Sequence, residues 1–194
     1  MEPETLNLPV LALRGLTVFP HTNLTFDVER HISRKALEVA METGQEIFLV
    51  TQREINVEKP TEQDLYAIGT ISRVTQILRL GQNSLRVMVE GGRRARLKRL
   101  WQLEPYLQGQ VETAEEPESV NHGPKTEALL RQTWSLFQDY AQLAGNVAEE
   151  VIAAALDCQE PGDLADLIAQ NIALRYDDKQ AILEELSPMV RLRK

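Results

Sequence analysis

The sequence holds one cysteine, Cys158, so no disulfide can form within the chain. That fits a reducing compartment. Aromatic residues make up only 5% of the 194 residues, and histidine occurs three times, as His21, His31 and His122. None of these histidines has the close His/Cys spacing of a zinc site, so no metal is expected. No glycine precedes a lysine, which excludes the phosphate loop GxxxxGK[ST]. A Gly-x-Ser-x-Gly elbow is also missing, and with it the signature of one large hydrolase class. The carboxylates fall in loops and on helix faces with no spacing that supports an acid–base pair. No apolar run approaches the ~18 residues that would span a bilayer. The opening MEPETLNLPV lacks a basic segment followed by an apolar one, so no secretory signal or transit peptide is expected. Basic residues are outnumbered, 21 against 29, and the net charge of -8 disfavours non-specific binding to nucleic acid or anionic membrane. Together these gaps leave no enzyme signature and no catalytic residues.

What is present is an ordinary globular composition, 43% hydrophobic and 26% charged, in a chain long enough for one domain or two small ones. The organising stretch is Leu8–Val28. Two apolar runs, Leu8–Leu13 and Leu16–Phe19, flank Arg14-Gly15, and Leu24, Phe26 and Val28 then alternate with Thr25 and Asp27. Alternation marks a strand with one wet face, and unbroken apolar runs suggest strands buried on both sides. The reading is a strand over Leu6–Leu13 and a second over Val18–Val28, bent at Pro20. A helical stripe covers His31–Thr43, with Ser33 as its cap and Gly44 at its end. Glu46–Gln52 reads as a short buried strand and Arg53–Asp64 as an exposed loop long enough to be functional or mobile. Tyr66–Leu80 and Ser84–Leu100 read as a hairpin joined at Gly81-Gln82-Asn83, with a bulge or sharp bend at Gly91-Gly92. Tyr106–Thr113 supplies a last strand.

The acidic, proline-bearing Ala114–Glu118 marks a boundary, giving a β-rich unit over residues 1–116 and a helical unit over 117–194. Beyond it the apolar period lengthens to about 3.6. Leu130, Trp134, Phe137 and Ala141 form one helical stripe, and Val147, Val151, Ile152, Ala155 and Leu156 a second. Pro161 opens a third helix, and Asp177 with Gln180 is a candidate capping box for a fourth, stopped by Ser187-Pro188. Met189–Lys194 reads as the first turn of a longer helix cut short. The fold class is therefore α+β.

Two surface features compete for a function. The run Arg93, Arg94, Arg96, Lys98, Arg99 places Arg94, Arg96 and Lys98 on one strand face, where they could track a phosphate backbone. The blander reading, pairing with Glu112, Glu115 or Glu116 on a solvated face, is favoured, because no aromatic interleaves the run to stack on bases. The second feature is apolar. Leu16–Phe26 carries more large side chains than a short bent strand buries on one face, which suggests a patch for unfolded or extended peptide, with a two-sided core strand as the alternative. His21 reads as a turn residue and Cys158 as a small buried hydrophobe.

Specific residues then carry a resemblance. Leu8-Pro9-Val10-Leu11-Ala12-Leu13-Arg14, Val18-Phe19-Pro20-His21 and Phe26-Asp27-Val28-Glu29-Arg30 resemble the opening of the N-terminal, substrate-binding (LON) domain of the ATP-dependent protease Lon. The likeness runs on through Phe48–Gln52, Asp64–Thr70, Val87–Gly91 with Arg94-Ala95-Arg96, then Pro161–Asp166 and Asp178–Gln180 with Leu183-Glu184. It covers nearly the whole chain in order. Ala12 and Thr25 stand where the family usually has proline, and Glu29 where it has glycine. The resemblance implies a PUA-like β-barrel-type subdomain followed by a helical bundle. It implies a non-catalytic recognition and assembly module, without the ATPase and Ser-Lys protease domains, whose parent would use ATP and Mg while this chain holds no cofactor. Implied partners are unfolded, damaged or degron-bearing proteins and other protomers of a hexamer. A bacterial cytoplasm is the simplest fit to the missing targeting segment. Val18, Phe19, Pro20, Leu24 and Phe26 are the candidate substrate contacts, with Arg53–Asp64 as a mobile rim. The competing readings are a stand-alone module that binds RNA or a protein partner, and a pure assembly domain.

Overall fold

The computed structural model describes residues 3–117 and 123–194. His122 lies outside them. The chain divides into two compact units, Met1–Glu115 and Glu116–Lys194.

In the first unit, β1 (Thr5–Leu13) runs parallel to β3 (Glu46–Thr51), with Val10 beside Phe48 and Leu13 beside Thr51. Parallel neighbours need a crossover. Here the crossover contains β2 (Asn23–Val28) and helix α1 (His31–Glu42). β4 (Ile68–Arg79) and β5 (Leu85–Gln102) form the long hairpin, and β6 (Leu107–Thr113) returns antiparallel to both β1 and β5. The strand order is β2-β5-β4-β3-β1-β6, and the β5–β6 pairing closes β5, β4, β3, β1 and β6 into a ring. The apolar runs explain why the ring has two cores. From β1 and β3, Leu11, Leu13, Ile47 and Leu49 face one cluster with Ala36, Leu37 and Ala40 of α1. Their alternate neighbours Leu8, Val10, Ala12, Phe48 and Val50 face a second cluster with Leu107 and Val111. Both strands are thus buried on two sides, as unbroken runs require.

β5 can serve three partners because it bends. Ile71 pairs with Arg93 and Ser72 with Gly91, which leaves Gly92 as the extra residue of a bulge. A second shift falls at Lys98, between Leu97 and Arg99. The first half of β5 therefore pairs with β2, and the second half with β6. Gly91 is required by a close approach: a Cβ there would overlap the Phe19 carbonyl oxygen.

The second strand is shorter than its sequence suggests. Residues 14–22 do not join the ladder. His21 takes a left-handed φ of 56°, its N–H donates to the Gly91 carbonyl at 2.8 Å, and the Thr22 hydroxyl donates to the Phe19 carbonyl at 2.7 Å. The Thr70 hydroxyl donates to the Val18 carbonyl at 2.6 Å. The segment is fixed by these separate contacts, and the regular strand begins only at Asn23. Helix α1 likewise starts before its expected cap. Arg30 is the N-cap residue, without a side-chain cap bond, and Ser33 lies buried within the first turn.

The second unit contains α2 (Pro124–Ala144), α3 (Glu149–Asp157), α4 (Pro161–Asn171), α5 (Tyr176–Leu183) and the short α6 (Pro188–Arg191). Gly145, at φ 66°, ends α2 in the left-handed region, where glycine avoids the Cβ penalty. Leu130, Phe137, Ala155 and Leu164 form the core, with Trp134, Val151, Ile152 and Ile168 packed on it. Leu156, expected on the inner stripe, is exposed. The Asp177–Gln180 capping box does not form. The N-cap is Arg175, and Asp177 sits inside the first turn, where it pairs with that arginine. Arg191 anchors α6: its side chain is 0% exposed and lies 3.1 Å from Asp166 Oδ1, itself 1% exposed. That contact is one of charge, because the Arg191 Nε–H is not aimed along a hydrogen bond. The directed bonds run from Nη1 to the Glu185 carbonyl at 2.7 Å and from Nη2 to Glu116 Oε1 at 2.6 Å.

Candidate functional site

The sequence-derived contact patch is not on the surface. Val18 is 2% exposed, Phe19 0% and Phe26 8%, and Pro20 is buried with them. Leu24 is partly buried against the same cluster. The reason is the set of contacts just described, which holds residues 18–22 against Thr70 and Gly91 and so buries Val18, Phe19 and Pro20, while Phe26 joins the core from β2. In this conformation Val18, Phe19 and Pro20 offer no contact surface, and Phe26 reaches only the wall of a small pocket. The basic run is not one open face. Arg94 keeps the regular alternation with Arg96 opposite β4, Thr70 facing Arg94 and Ile68 facing Arg96, yet Arg94 is buried, and a register shift at Lys98 breaks the alternation beyond Leu97. Arg93 pairs with Glu4 at 2.6 Å and Lys98 with Glu112 at 3.1 Å. The Lys98 pairing is the solvated-face arrangement that the sequence favoured. His21 is a turn residue, and Cys158 is a half-buried free thiol whose pKa is raised by burial.

The first unit instead carries an open groove of about 670 Å³. Three segments meet there: the start of α1, the end of the 53–64 loop, and the turn between β5 and β6. Ile32, Pro60, Leu103 and Pro105 give it an apolar lining, and Arg30, Glu58, Lys59 and Glu104 supply its charges. Leu103 is 45% exposed, and Trp101, two residues before it, 48%. Lys59 and Glu104 face each other at 3.4 Å between two of the segments. Both are so exposed that the pair adds little stability. An apolar floor with a polar rim is the usual make-up of a recognition surface.

Each wall is held by specific bonds. Gln52, fully buried at the end of β3, donates from Nε2 to the Glu54 and Val57 carbonyls at 3.2 and 3.0 Å. Its Oε1 accepts from Arg30 Nη1 at 2.7 Å, while Arg30 Nη2 donates to the Ala12 carbonyl. Burial, reinforced by the neighbouring Arg14 charge, lowers the Arg30 pKa to about 10, so it stays a cation at neutral pH. Arg14 reaches Glu58 at 2.9 Å. Further along the loop, the Arg53 guanidinium lies 4.6 Å over the Tyr66 ring. Thr61 caps the turn Glu62–Asp64, and its backbone and hydroxyl bonds lower the Asp64 pKa. Glu62 accepts from the Leu100 N–H at 2.7 Å. The Gln102 side chain, bonded to the Tyr106 carbonyl at 3.0 Å, steadies the remaining turn.

Only one wall was singled out by sequence. The 53–64 loop, read as the mobile rim of the 18–26 patch, lines this groove instead, through residues 58–61. The 103–105 turn was missed, although large apolar residues beside Glu104-Pro105 in a strand connection were a usable signal. Among the described residues, no group of three or more His, Cys, Asp and Glu is placed to hold a metal, and no helix is long and apolar enough to cross a membrane.

Comparison with known proteins adds what geometry cannot. The sequence model of one family, described as the ATP-dependent protease La (LON) substrate-binding domain, matches residues 7–194. The Lon protease of Desulforamulus reducens is 39% identical over 194 residues, covering 100% of this chain and 24% of that protein. Lon protease 1 of Bacillus subtilis is 36% identical over 188 residues, 97% of this chain and 24% of its own length. The chain thus spans about a quarter of the length of the curated relatives it matches. Among solved structures, the N-terminal domain of Mycobacterium avium complex Lon protease superposes with a TM-score of 0.77 at 22% identity, covering 97% of this chain and 95% of that one. A Lon N-terminal domain protein from Xanthomonas campestris reaches 0.67 at 17% identity, with coverage of 97% and 95%. These two likenesses concern the fold alone.

Proposed function

The chain belongs to the LON substrate-binding domain family, and from that premise we propose that it is a non-catalytic module that captures unfolded, damaged or degron-bearing polypeptides for an ATP-dependent Lon-type serine protease. The observation that carries this reading is the groove, whose exposed Leu103 and Pro105 offer apolar contact beside the half-buried Ile32 and the buried Pro60, and whose rim carries both signs of charge. A surface of this kind suits an extended chain of mixed composition better than one rigid ligand. The same reading takes the closed strand ring as a PUA-like barrel and the helical unit as a bundle. It places the protein in a bacterial cytoplasm, among further protomers of a hexamer, with ATP and Mg used by the parent protease outside these residues. The RNA alternative loses support because Arg94 is buried and Arg93 and Lys98 are paired with carboxylates.

The test is Leu103→Glu, titrated with labelled, reduced and carboxymethylated lactalbumin. Burying the exposed part of Leu103 on contact is worth about 1–1.5 kcal/mol, so binding should weaken about tenfold. Unchanged affinity would place recognition elsewhere.

A further inference from the structure

Among the described residues, β2 lies at the end of the strand order and pairs only with β5, which leaves its other side free. Its phase follows from the neighbouring bond, in which the Gly91 N–H donates to the Thr22 carbonyl at 2.8 Å. Two residues further along each strand, Leu24 faces Val89, then Phe26 faces Val87 and Val28 faces Leu85. In an antiparallel pair, bonded and non-bonded positions alternate. The N–H and C=O groups of Leu24, Phe26 and Val28 therefore point at β5, and those of Asn23, Thr25 and Asp27 point away from it. These last three residues are exposed. Edge strands are normally blunted by lysine, proline, a bulge or a covering loop. β2 has neither lysine nor proline, and its register with β5 runs unbroken from Asn23 to Val28.

A second observation lies at the end of this edge. A small pocket of about 190 Å³ opens between Leu11–Leu16 and Phe26–Arg30. Leu13, Leu16 and Phe26 give it apolar walls, and its size suits one large side chain. Arg30 lines both this pocket and the larger groove, so edge, pocket and groove follow one another along the chain from Asn23 to Ile32.

We propose that β2 is a strand-addition site: an extended segment of a bound polypeptide pairs with the free backbone groups of Asn23, Thr25 and Asp27, sets one large apolar side chain in the Leu13–Leu16–Phe26 pocket, and continues past Arg30 into the groove. This rests on the recognition reading above and deepens it. Backbone pairing explains how one surface accepts many sequences, since every extended chain presents the same donors and acceptors, while the pocket selects a large apolar residue at one position. Continuity with the groove favours a foreign extended chain over a second copy of β2.

The test uses the full chain and a labelled short peptide that alternates valine and threonine around one phenylalanine, with lysine at each end. Thr25→Pro removes an outward N–H and obstructs the edge without costing a β5 bond, because proline is tolerated where the N–H faces outward. It should weaken peptide binding about tenfold or more. Peptides N-methylated on alternate residues keep the test valid even if that variant misfolds. One methylation phase should abolish binding and the other leave it intact, and bound peptide should slow amide exchange at Asn23, Thr25 and Asp27. Equal behaviour of the two phases would overturn the proposal, as would protection of those amides by dimerisation without peptide. If Thr25→Pro binds like the parent while Leu103→Glu does not, strand addition fails and the recognition reading stands. If neither the peptide nor the carboxymethylated protein binds the parent chain, both fail.

Discussion

Replacing Arg191 with alanine should nearly unfold the helical unit. The side chain is 0% exposed and is held by Asp166, Glu116 and the Glu185 carbonyl. Helix α6 is only four residues long, too short to persist without tertiary contacts. Removing the cation takes away the charge that lies 3.1 Å from the Asp166 carboxylate, itself 1% exposed. Breaking one side of a buried ion pair costs about 3–5 kcal/mol. Glu116 is more than one-third exposed, so its share is screened and adds little. A small domain has about 5–15 kcal/mol in total, so the loss is a large fraction of what the unit has. With a urea slope of about 1 kcal/mol/M for so small a unit, the midpoint should fall by about 3 M, or the unit should already be open in buffer. The two tryptophans make the assay selective, since Trp101 lies in the first unit and Trp134 packs on the core of the second. In a Trp101→Phe background, fluorescence reports the helical unit alone. A midpoint shift below about 1 M would refute the reasoning. The paired change Arg191→Met with Asp166→Leu should recover most of the loss, since an apolar pair carries no desolvation cost.

Gln52→Leu should free the groove wall. It strips hydrogen bonds from the Glu54 and Val57 carbonyls and from Arg30, at a cost of about 1–3 kcal/mol, and limited proteolysis should then cut faster within residues 53–61; an unchanged cleavage rate would show that the loop is held by other contacts. The Cys158 thiol, with its pKa raised by burial, should react with iodoacetamide at pH 8 more slowly in the folded chain than in urea. Rising pH should speed the folded reaction only above the range where the unfolded thiol has already ionised, and equal rates in the two states would contradict the burial.

Much of the framework was legible because it is local. The unbroken apolar runs of β1 and β3 implied burial on both sides, and Gly91-Gly92 announced the bulge that turns β5. What was hidden depends on partners distant in sequence. Phe19 looks like a patch residue until Gly91 makes room for its carbonyl, and Ser33 looks like a helix cap until Arg30, clasped to Ala12 and Gln52, heads the helix instead. The alternation of Arg94 with Arg96 was countable, but the burial of Arg94 was not, because it depends on elements far away in sequence. The groove joins segments around residues 30, 60 and 104, and no local pattern links them.

The most direct test of the central claim is to titrate the purified chain with labelled lactalbumin in two states, native and reduced-carboxymethylated, at matched ionic strength. The account predicts saturable binding to the unfolded state, weakened by Leu103→Glu, and little to the native one. Equal binding to both states, or none to either, would contradict it and leave these residues without a recognition surface of their own.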